Sequence, residues 1–322
     1  MSYKAARSTG LTFGAAIAAL LALSQASPAA EKNLLWVNPL RDHPVCKIMQ
    51  AGFLDKCKEL GYACEIVGNP SATSFDIPAS IPLADAALAR TQFAAVAVVG
   101  NDPAINTYIS RLARDGYPVV TWHILPPEGS VPGLKAATGE VIPEAGANAA
   151  IAMGDKLGGK GVVAVTEGSY NTAENDMAAA FKKTMAEKYP DIRVLDPELE
   201  GYEPSAAQAK AVALLQGHAD VTGAFSTTGN GLQTWSGAAR AAGRKLVIIG
   251  MDYTRQNLDL IKSGEAYGIV AQPLYEEGAK VAELSAALAE GKAVDYLNPL
   301  PAKVATAADL EPYYAMLKSA GQ

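Results

Sequence analysis

The sequence predicts an α/β fold made of two doubly wound parallel-sheet lobes. Short apolar runs alternate with helical patterns along most of the chain, as in sheets whose two faces are covered by helices. A similar alternation occurs twice, over residues 31–138 and 139–272. A single sheet with so many strands would be unusually wide, so two lobes of about 120 residues each are favoured.

The first β-α-β unit spans residues 34–67. An apolar run over 34–38 predicts a buried strand, residues 45–60 have helical spacing, and Gly61 stands where a left-handed C-cap belongs. A second apolar run follows over 62–67. Open α/β sheets bind ligands in the loops at the carboxyl ends of their strands. The first of these loops holds the polar residues Arg41, Asp42 and His43.

The alternation then continues toward the C-terminus. Further strands are predicted over 94–99, 118–122, 161–165, 192–195, 221–225, 246–249 and 267–271. Further helices are predicted over 85–91, 103–115, 143–157, 175–188, 205–216, 232–242, 258–263, 274–290 and 306–322, the last docked on the second lobe. Residues 126–139 are rich in Pro and Gly, which predicts a loop leading out of the first lobe.

The N-terminal residues 1–30 have the features of a secretory signal peptide. Lys4 and Arg7 are followed by an apolar run of 13 residues over 11–23, too short to span a bilayer, and then by small residues. An uncleaved membrane anchor is the alternative. Removing two basic and no acidic residues takes the formal charge from −6 to −8. An acidic, exported chain is a poor candidate for binding nucleic acid or an anionic membrane.

The three cysteines allow one disulfide. Cys46 and Cys57 would be separated by about 16 Å along a helix, which is too far to bridge. Cys57 and Cys64 flank the turn at Gly61 and could meet. In an oxidising compartment they form either a disulfide or a pair of free thiols.

Sequence motifs of enzymes are absent where they would be expected. No dinucleotide fingerprint follows the first strand, and no Walker sequence or nucleophile elbow is present. His43, His123 and Cys46 lack the paired spacing of metal ligands, so no metal or cofactor is predicted. Asp252 with Glu174 or Asp42 could form a carboxylate pair for glycoside hydrolysis, but nothing in the sequence activates either group.

Polar or aromatic residues follow each strand that should end at the crevice. Carboxylates and amides can hydrogen-bond to vicinal hydroxyls, and Trp or Tyr can pack on the apolar face of a sugar-like ligand. Any one of these residues could instead be a helix cap or turn residue. Asp252 is the strongest candidate, because a buried carboxylate needs several donors. The set comprises Arg41, Asp42, His43, Asn101, Asp102, Trp122, His123, Tyr170, Asn171, Thr228, Gly229, Asn230, Asp252 and Tyr253.

Four segments resemble one family, the periplasmic solute-binding proteins of the ribose/galactose type (type I periplasmic binding proteins), which serve sugar ABC transporters. They are VIIGMDY at 247–253, AYGIVAQP at 266–273, GHADVTGAF at 217–225 and RDGYPVVT at 114–121. The resemblance implies that Asp252 binds sugar hydroxyls, that Gln272 contacts ligand at a hinge, and that Tyr202 packs on the sugar ring.

The resemblance also implies an architecture and a role. Three hinge crossings are expected near Thr138, Gln272 and Asn298, with lobes formed by 31–138 plus 273–297 and by 139–272 plus 298–322. A periplasmic monomer would close on a sugar or polyol and deliver it to the membrane permease subunits. The alternatives are an exported carbohydrate-active enzyme and a receptor module for chemotaxis or signalling.

Three positions depart from the family pattern. His43-Pro-Val-Cys46 replaces Asn-Pro-Phe-Phe, His123-Ile124 replaces Asp-Arg, and Asn175 stands in place of an Arg. Losing both Arg residues and one Asp argues against an ordinary hexose or ribose. These departures predict a polyol, branched sugar or deoxysugar that stacks on Trp122.

Overall fold

The structure is a computed structural model that describes residues 1–2, 32–100 and 103–319. Nearly all of the predicted signal peptide, and the strand-end pair Asn101 and Asp102, lie outside the described residues.

Strands and helices alternate through the described residues. The strands are β1 (Asn33–Val37), β2 (Ala63–Val67), β3 (Ala95–Val99), β4 (Val119–Trp122), β5 (Leu134–Glu140), β6 (Gly161–Glu167), β7 (Ile192–Val194), β8 (Glu198–Leu199), β9 (Gly223–Ser226), β10 (Val247–Met251), β11 (Gly268–Ala271), β12 (Leu297–Leu300) and β13 (Lys303–Thr306). The helices are α1 (Pro44–Leu60), α2 (Ile77–Arg90), α3 (Pro103–Arg114), α4 (Ile142–Leu157), α5 (Thr172–Lys188), α6 (Pro204–Gly217), α7 (Gly231–Ala241), α8 (Arg255–Lys262), α9 (Leu274–Ala289) and α10 (Leu310–Ser319).

These strands form two sheets with the same plan. The first sheet has the order β12-β5-β4-β3-β1-β2 and is parallel throughout. The second has the order β13-β11-β10-β9-β6-β7, with β8 also paired to β6, and only β13 runs antiparallel. The repeated strand order explains the repeated sequence pattern, and two doubly wound α/β lobes are present as predicted.

The chain passes between the two sheets three times, in each case at or within a few residues of a predicted position. Thr138 and Asn298 face each other in β5 and β12 of the first sheet, shortly before the first and third crossings. The first crossing follows Glu140, where β5 ends and α4 begins at Ile142. The third lies between β12 and β13, whereas the second falls after β11 at Gln272, as predicted.

The Pro- and Gly-rich stretch over 126–139 is not entirely a loop, which corrects the prediction. Residues 126–133 form the turn, and β5 begins at Leu134 and pairs with β4. The alanines and threonine of this strand gave a weak apolar signal, although residues 136–140 are all buried. A carboxylate, Glu140, therefore ends a central strand.

Helix α1 is tied to β2 at its C-terminal end. Gly61 adopts the left-handed C-cap conformation, with φ of +74°, as predicted. Cys57 and Cys64 form a disulfide, with a Cα–Cα distance of 6.2 Å. Cys46 is a free, buried cysteine.

Helices α1 and α9 pack backbone to backbone through two glycines. A Cβ atom on Gly52 would lie 2.0 Å from the carbonyl oxygen of Tyr275, and one on Gly278 would lie 1.8 Å from that of Met49. Helix α9 also crosses β3, β4 and β5, so it fixes α1 against the first sheet.

The C-terminal helix docks on the second lobe. Helix α10 contacts α8, and the Tyr314 hydroxyl donates a hydrogen bond of 2.6 Å to Asp259. Its neighbour Tyr313 packs on Tyr253, with ring centroids 4.9 Å apart. Over residues 32–100 and 103–319, none of the helices is both long and apolar enough to cross a membrane.

Candidate functional site

A cavity of about 100 Å³ lies where the carboxyl ends of the two sheets face each other. The first lobe contributes residues that include His43, Cys46, Phe75, Trp122, His123 and Glu140. The second lobe contributes residues that include Asn171, Glu174, Tyr202, Thr228, Asp252 and Gln272. The structure thus brings together nine of the residues predicted as candidates for the site, drawn from both lobes: His43, Trp122, His123, Asn171, Tyr202, Thr228, Gly229, Asp252 and Gln272.

In both lobes, a residue at a strand end reaches the cavity through the same backbone conformation. His123 follows β4 with φ of +74°, and Asp252 follows β10 with φ of +68°. Few residues other than Gly adopt this left-handed conformation, although His and Asp do so more often than most. The conformation ends each strand abruptly, and both side chains line the cavity.

Asn257 holds the loop beneath Asp252. Its fully buried side-chain amide donates to the carbonyl oxygens of Gly229, Met251 and Asp252, at 2.9, 3.0 and 2.9 Å. Two cavity-lining loops of the second lobe are thereby fixed to each other. Sequence reasoning missed Asn257, because an Asn early in a short helix carries no signal of such a role.

Glu174 is the best-satisfied carboxylate of the cavity. It accepts hydrogen bonds from the Tyr202 hydroxyl at 2.6 Å, the Thr227 hydroxyl at 2.8 Å and the Asn171 amide at 3.0 Å. The backbone N–H of Gly168 also donates to it. These donors hold Asn171 and Tyr202 in place around one carboxylate.

Glu140 and Gln272 join two of the hinge crossings. Glu140 ends β5 at the first crossing, Gln272 follows β11 at the second, and the Gln272 amide donates to Glu140. Sequence reasoning missed Glu140, because its strand was interpreted as a loop. The signal available was an acidic residue directly after a short apolar run, the same feature that singled out Asp252.

Burial disfavours charge on every titratable group at the centre of the cavity. Burial raises the pKa of Asp252 well above its ordinary value, and nearby Glu140 and Glu174 raise it further. Burial raises the pKa of Glu140 to about 7, against the opposing hydrogen bond from Gln272. Burial also lowers the pKa of His123 to about 4, so that this imidazole is neutral at pH 7.

An aromatic cluster forms one wall of the cavity. Trp122 is almost fully buried and packs on Trp36 with ring centroids 5.3 Å apart, and Trp36 packs edge-on against Phe53 at 4.9 Å. Because the ring of Trp122 lines the cavity and is held rigidly from behind, it can act as a stacking surface.

His43 and Asn230 make a direct contact between the lobes. The His43 Nδ1 atom accepts from the backbone N–H of Val45 at 3.3 Å, so its Nε2 carries the proton and donates to Asn230 Oδ1, also at 3.3 Å. Asn230 in turn donates to the carbonyl oxygen of Tyr202 at 2.8 Å. Asn230 does not line this cavity but a neighbouring one, so it takes part in the site as a contact between the lobes.

Arg41 and Asp42 do not reach the cavity, contrary to the prediction. Their backbone N–H groups donate to the carbonyl oxygens of Asn69 and Ser71, at 3.0 and 3.1 Å, which ties the loop to the segment after β2. Their side chains pair with each other at 3.3 Å and remain more than one third exposed. His43 is the residue of this loop that lines the cavity.

Asn175 does not reach the cavity either, which corrects its assignment to the site. Asn171 caps helix α5, and the register that follows buries Ala173, Glu174 and Met177 while Asn175 is exposed. The neighbouring residue, Glu174, takes the place expected for Asn175. A shift of one residue rotates a helical side chain by about 100°.

Of the carboxylates considered for glycoside hydrolysis, one lies outside the cavity and one is held by donors of the protein itself. In the described part of the chain, no three His, Cys, Asp or Glu side chains are grouped so that they could hold a metal ion. Asp42 lies outside the cavity and cannot pair with Asp252. Glu174 is fully engaged by its donors.

Comparison with known proteins places this fold and cavity in one family. Residues 34–293 match the family model described as "Periplasmic binding protein domain". The ribose import binding protein RbsB of Bacillus subtilis is 26% identical over 204 residues. The match covers 63% of this chain and 65% of that protein, so this chain spans less than two thirds of the relative's length.

Solved structures agree in fold. GanP, a glucose-galactose binding protein from Geobacillus stearothermophilus, matches with a TM-score of 0.79 and 23% identity over 87% of this chain and 98% of its own. A carbohydrate transporter solute-binding protein from Agrobacterium radiobacter, solved with D-arabinose, matches with a TM-score of 0.81 and 18% identity, covering 90% and 99% of the two chains.

The chain belongs to the periplasmic binding protein domain family. This membership confirms the resemblance and the fold class predicted from the sequence. The family is one of solute-binding proteins rather than of enzymes.

Proposed function

We propose that this protein is the solute-binding component of an ABC transporter and captures a sugar or polyol by closing its two lobes around the ligand. The observation that carries the proposal is the cavity itself, which is lined by strand ends of both sheets and lies beside the hinge crossings. A ligand that contacts both lobes favours the closed form by its differential affinity for that form.

The composition of the cavity supports a hydroxyl-rich ligand. Asp252, Asn171 and Gln272 offer hydrogen-bonding groups, and Trp122 offers a flat apolar surface. The similar proteins named above are a ribose import binding protein, a glucose-galactose binding protein and a solute-binding protein solved with D-arabinose. The described residues that line the cavity include no Lys or Arg, which supports keeping a polyol, branched sugar or deoxysugar as the ligand.

Membership of this family supports a proposal about where the protein acts and which partner it has. We place the mature protein in the periplasm as a monomer, after removal of residues 1–30, with the membrane permease subunits as its partner. Closure would change the relative orientation of the two lobes, and a permease can recognise this change. The sites proposed for ligand contact are His43, Trp122, His123, Asn171, Tyr202, Asp252 and Gln272.

A thermal-shift screen against pentoses, hexoses and alditols tests the proposal. At a concentration one hundred times its Kd, a bound solute stabilises the native state by about 2.7 kcal/mol, which raises Tm by several degrees. We expect at least one member to do so, and Asp252→Asn to abolish the shift.

Asp176→Asn is the matched control, because Asp176 is an exposed residue of α5. It should bind as the wild type does. A panel in which no solute raises Tm, or an Asp252→Asn variant with undiminished binding, would contradict the proposal.

A further inference from the structure

The cavity holds an excess of acidic groups without a cation to balance them. Asp252, Glu140 and Glu174 line it, and the lining residues include no Lys or Arg. Of the two imidazoles, His43 is fixed in its neutral tautomer by Val45 and Asn230, and burial lowers the pKa of His123.

Two of the three carboxylates have an oxygen without a partner. Oδ1 of Asp252 and Oε2 of Glu140 are buried and accept no hydrogen bond, in side chains that are 3% and 2% exposed. Glu174, by contrast, is held by four donors. A buried carboxylate oxygen without a donor is costly, so Asp252 and Glu140 are placed to receive a donor from a ligand.

A protonated amine fits these two oxygens better than a hydroxyl group does. An ammonium group brings three donors and a positive charge, whereas a sugar hydroxyl brings one donor and no charge. Trp122 lines the same cavity, and the face of an indole ring attracts a cation. The described residues contain no group of three metal-ligating side chains, so an organic cation is favoured over a metal ion.

We propose that the ligand is an amino sugar or amino polyol whose protonated amine binds to Asp252 and Glu140. This inference rests on the proposed function and names the chemical class of its ligand. The hydroxyl groups of the ligand would face the amides of Asn171 and Gln272, and its apolar face would lie on Trp122.

Pairs of compounds that differ in one group test this ligand class. Isothermal titration would compare D-glucosamine with D-glucose, D-galactosamine with D-galactose, and glucamine with sorbitol, and N-acetyl-D-glucosamine would serve as an uncharged amide. In the pair that binds, we expect the amine to bind at least ten times more tightly than its hydroxyl partner. Titrations in phosphate and in HEPES should also show that the amine releases protons from the protein, since its charge ionises the buried carboxyls.

Two variants locate the amine. Glu140→Gln and Asp252→Asn should each weaken amine binding at least tenfold and reduce the preference for amine over hydroxyl, and the Asp176→Asn control should keep that preference. Circular dichroism and Tm would show that each variant is folded.

The outcomes separate this inference from the proposed function. If neutral compounds bind and the matching amines bind no better, the ligand class is wrong while the transport role stands. If neither series binds, the proposed function fails and this inference fails with it.

Discussion

At the scale of single residues, the site depends on carboxyl groups placed where water cannot reach them. Glu140 ends a central strand, is almost fully buried and receives one hydrogen bond, from Gln272. Its other oxygen is unpartnered. Such a residue destabilises the ligand-free protein, and its retention is therefore an argument for a role in binding rather than in folding.

Replacing Glu140 should change how stability depends on pH. Folding raises the pKa of Glu140 from its ordinary 4.5 to about 7, so the native state keeps a proton that the unfolded chain loses. The contribution of Glu140 to stability is therefore lost as pH rises from about 4.5 to about 7, and it is unchanged at lower pH. Relative to wild type, Glu140→Gln should gain up to about 3 kcal/mol between pH 5 and pH 8.

Urea unfolding of the ligand-free protein across this pH range measures the difference between the two proteins. Buried acids that do not interact with Glu140, such as Glu200, are present in both proteins and cancel. Glu187→Gln, at an exposed position of α5, is the control and should follow the wild type. A difference between Glu140→Gln and wild type that stays constant with pH would refute the argument.

At the scale of elements, the contact between α1 and α9 decides how the first lobe is assembled. These helices are far apart in the sequence, and the glycines Gly52 and Gly278 let their backbones touch. The contact leaves no space for a methyl group at Gly278. Close packing of this kind cannot be relieved by moving one side chain, because the obstructing atom belongs to the backbone.

Gly278→Ala should therefore destabilise the protein by about 1–3 kcal/mol, although alanine is the better helix former. Gly217→Ala is the matched control, because Gly217 also lies in a helix and has open space around it. Chemical unfolding should show a loss for the first variant and no loss for the second. Equal midpoints for the two variants would show that α1 and α9 can separate without cost.

The sequence predicted most elements, but it did not show which residues of a loop or helix turn inward. The apolar runs of β3 and β10, and Gly61 as the cap of α1, were predictable because local chemistry determines them. Asn175 misses the cavity by one helical position. Arg41 misses it because backbone hydrogen bonds to a distant segment orient its loop away from the cavity. The register set locally by the Asn171 cap determines the first case, and contacts between residues far apart in the chain determine the second.

The small residues of one strand account for the largest omission. Strand β5 contains two alanines, a threonine and a glycine, which give little apolar signal although the strand is buried. Missing this strand also hid Glu140. Asp252 was found because a more apolar strand precedes it, and Gln272 was implied by the family resemblance.

At the scale of the whole molecule, the hydrogen bond from His43 to Asn230 joins the lobes beside the cavity. Asn230→Ala removes that bond and the bond to Tyr202, so the closed form should lose about 0.5–1.5 kcal/mol. The Kd of the tightest-binding sugar or polyol in the panel should rise roughly 3- to 10-fold.

Small-angle scattering and stopped-flow kinetics measure this effect. At subsaturating ligand, Asn230→Ala should show a larger radius of gyration than wild type and faster dissociation. Gln216→Ala, at an exposed position of α6, should match the wild type in both. An unchanged Kd and scattering profile for Asn230→Ala would mean that the bond between lobes has no role in closure.

Both sheets obtain an edge strand from the last part of the chain. The first sheet is completed when β12 joins β5, and the second when β13 joins β11. A truncated product that stops before β12 would therefore leave two unprotected strand edges, the surfaces from which aggregation by strand pairing begins. Synthesis must therefore pass β12 before the first sheet can be completed, and β13 before the second can be.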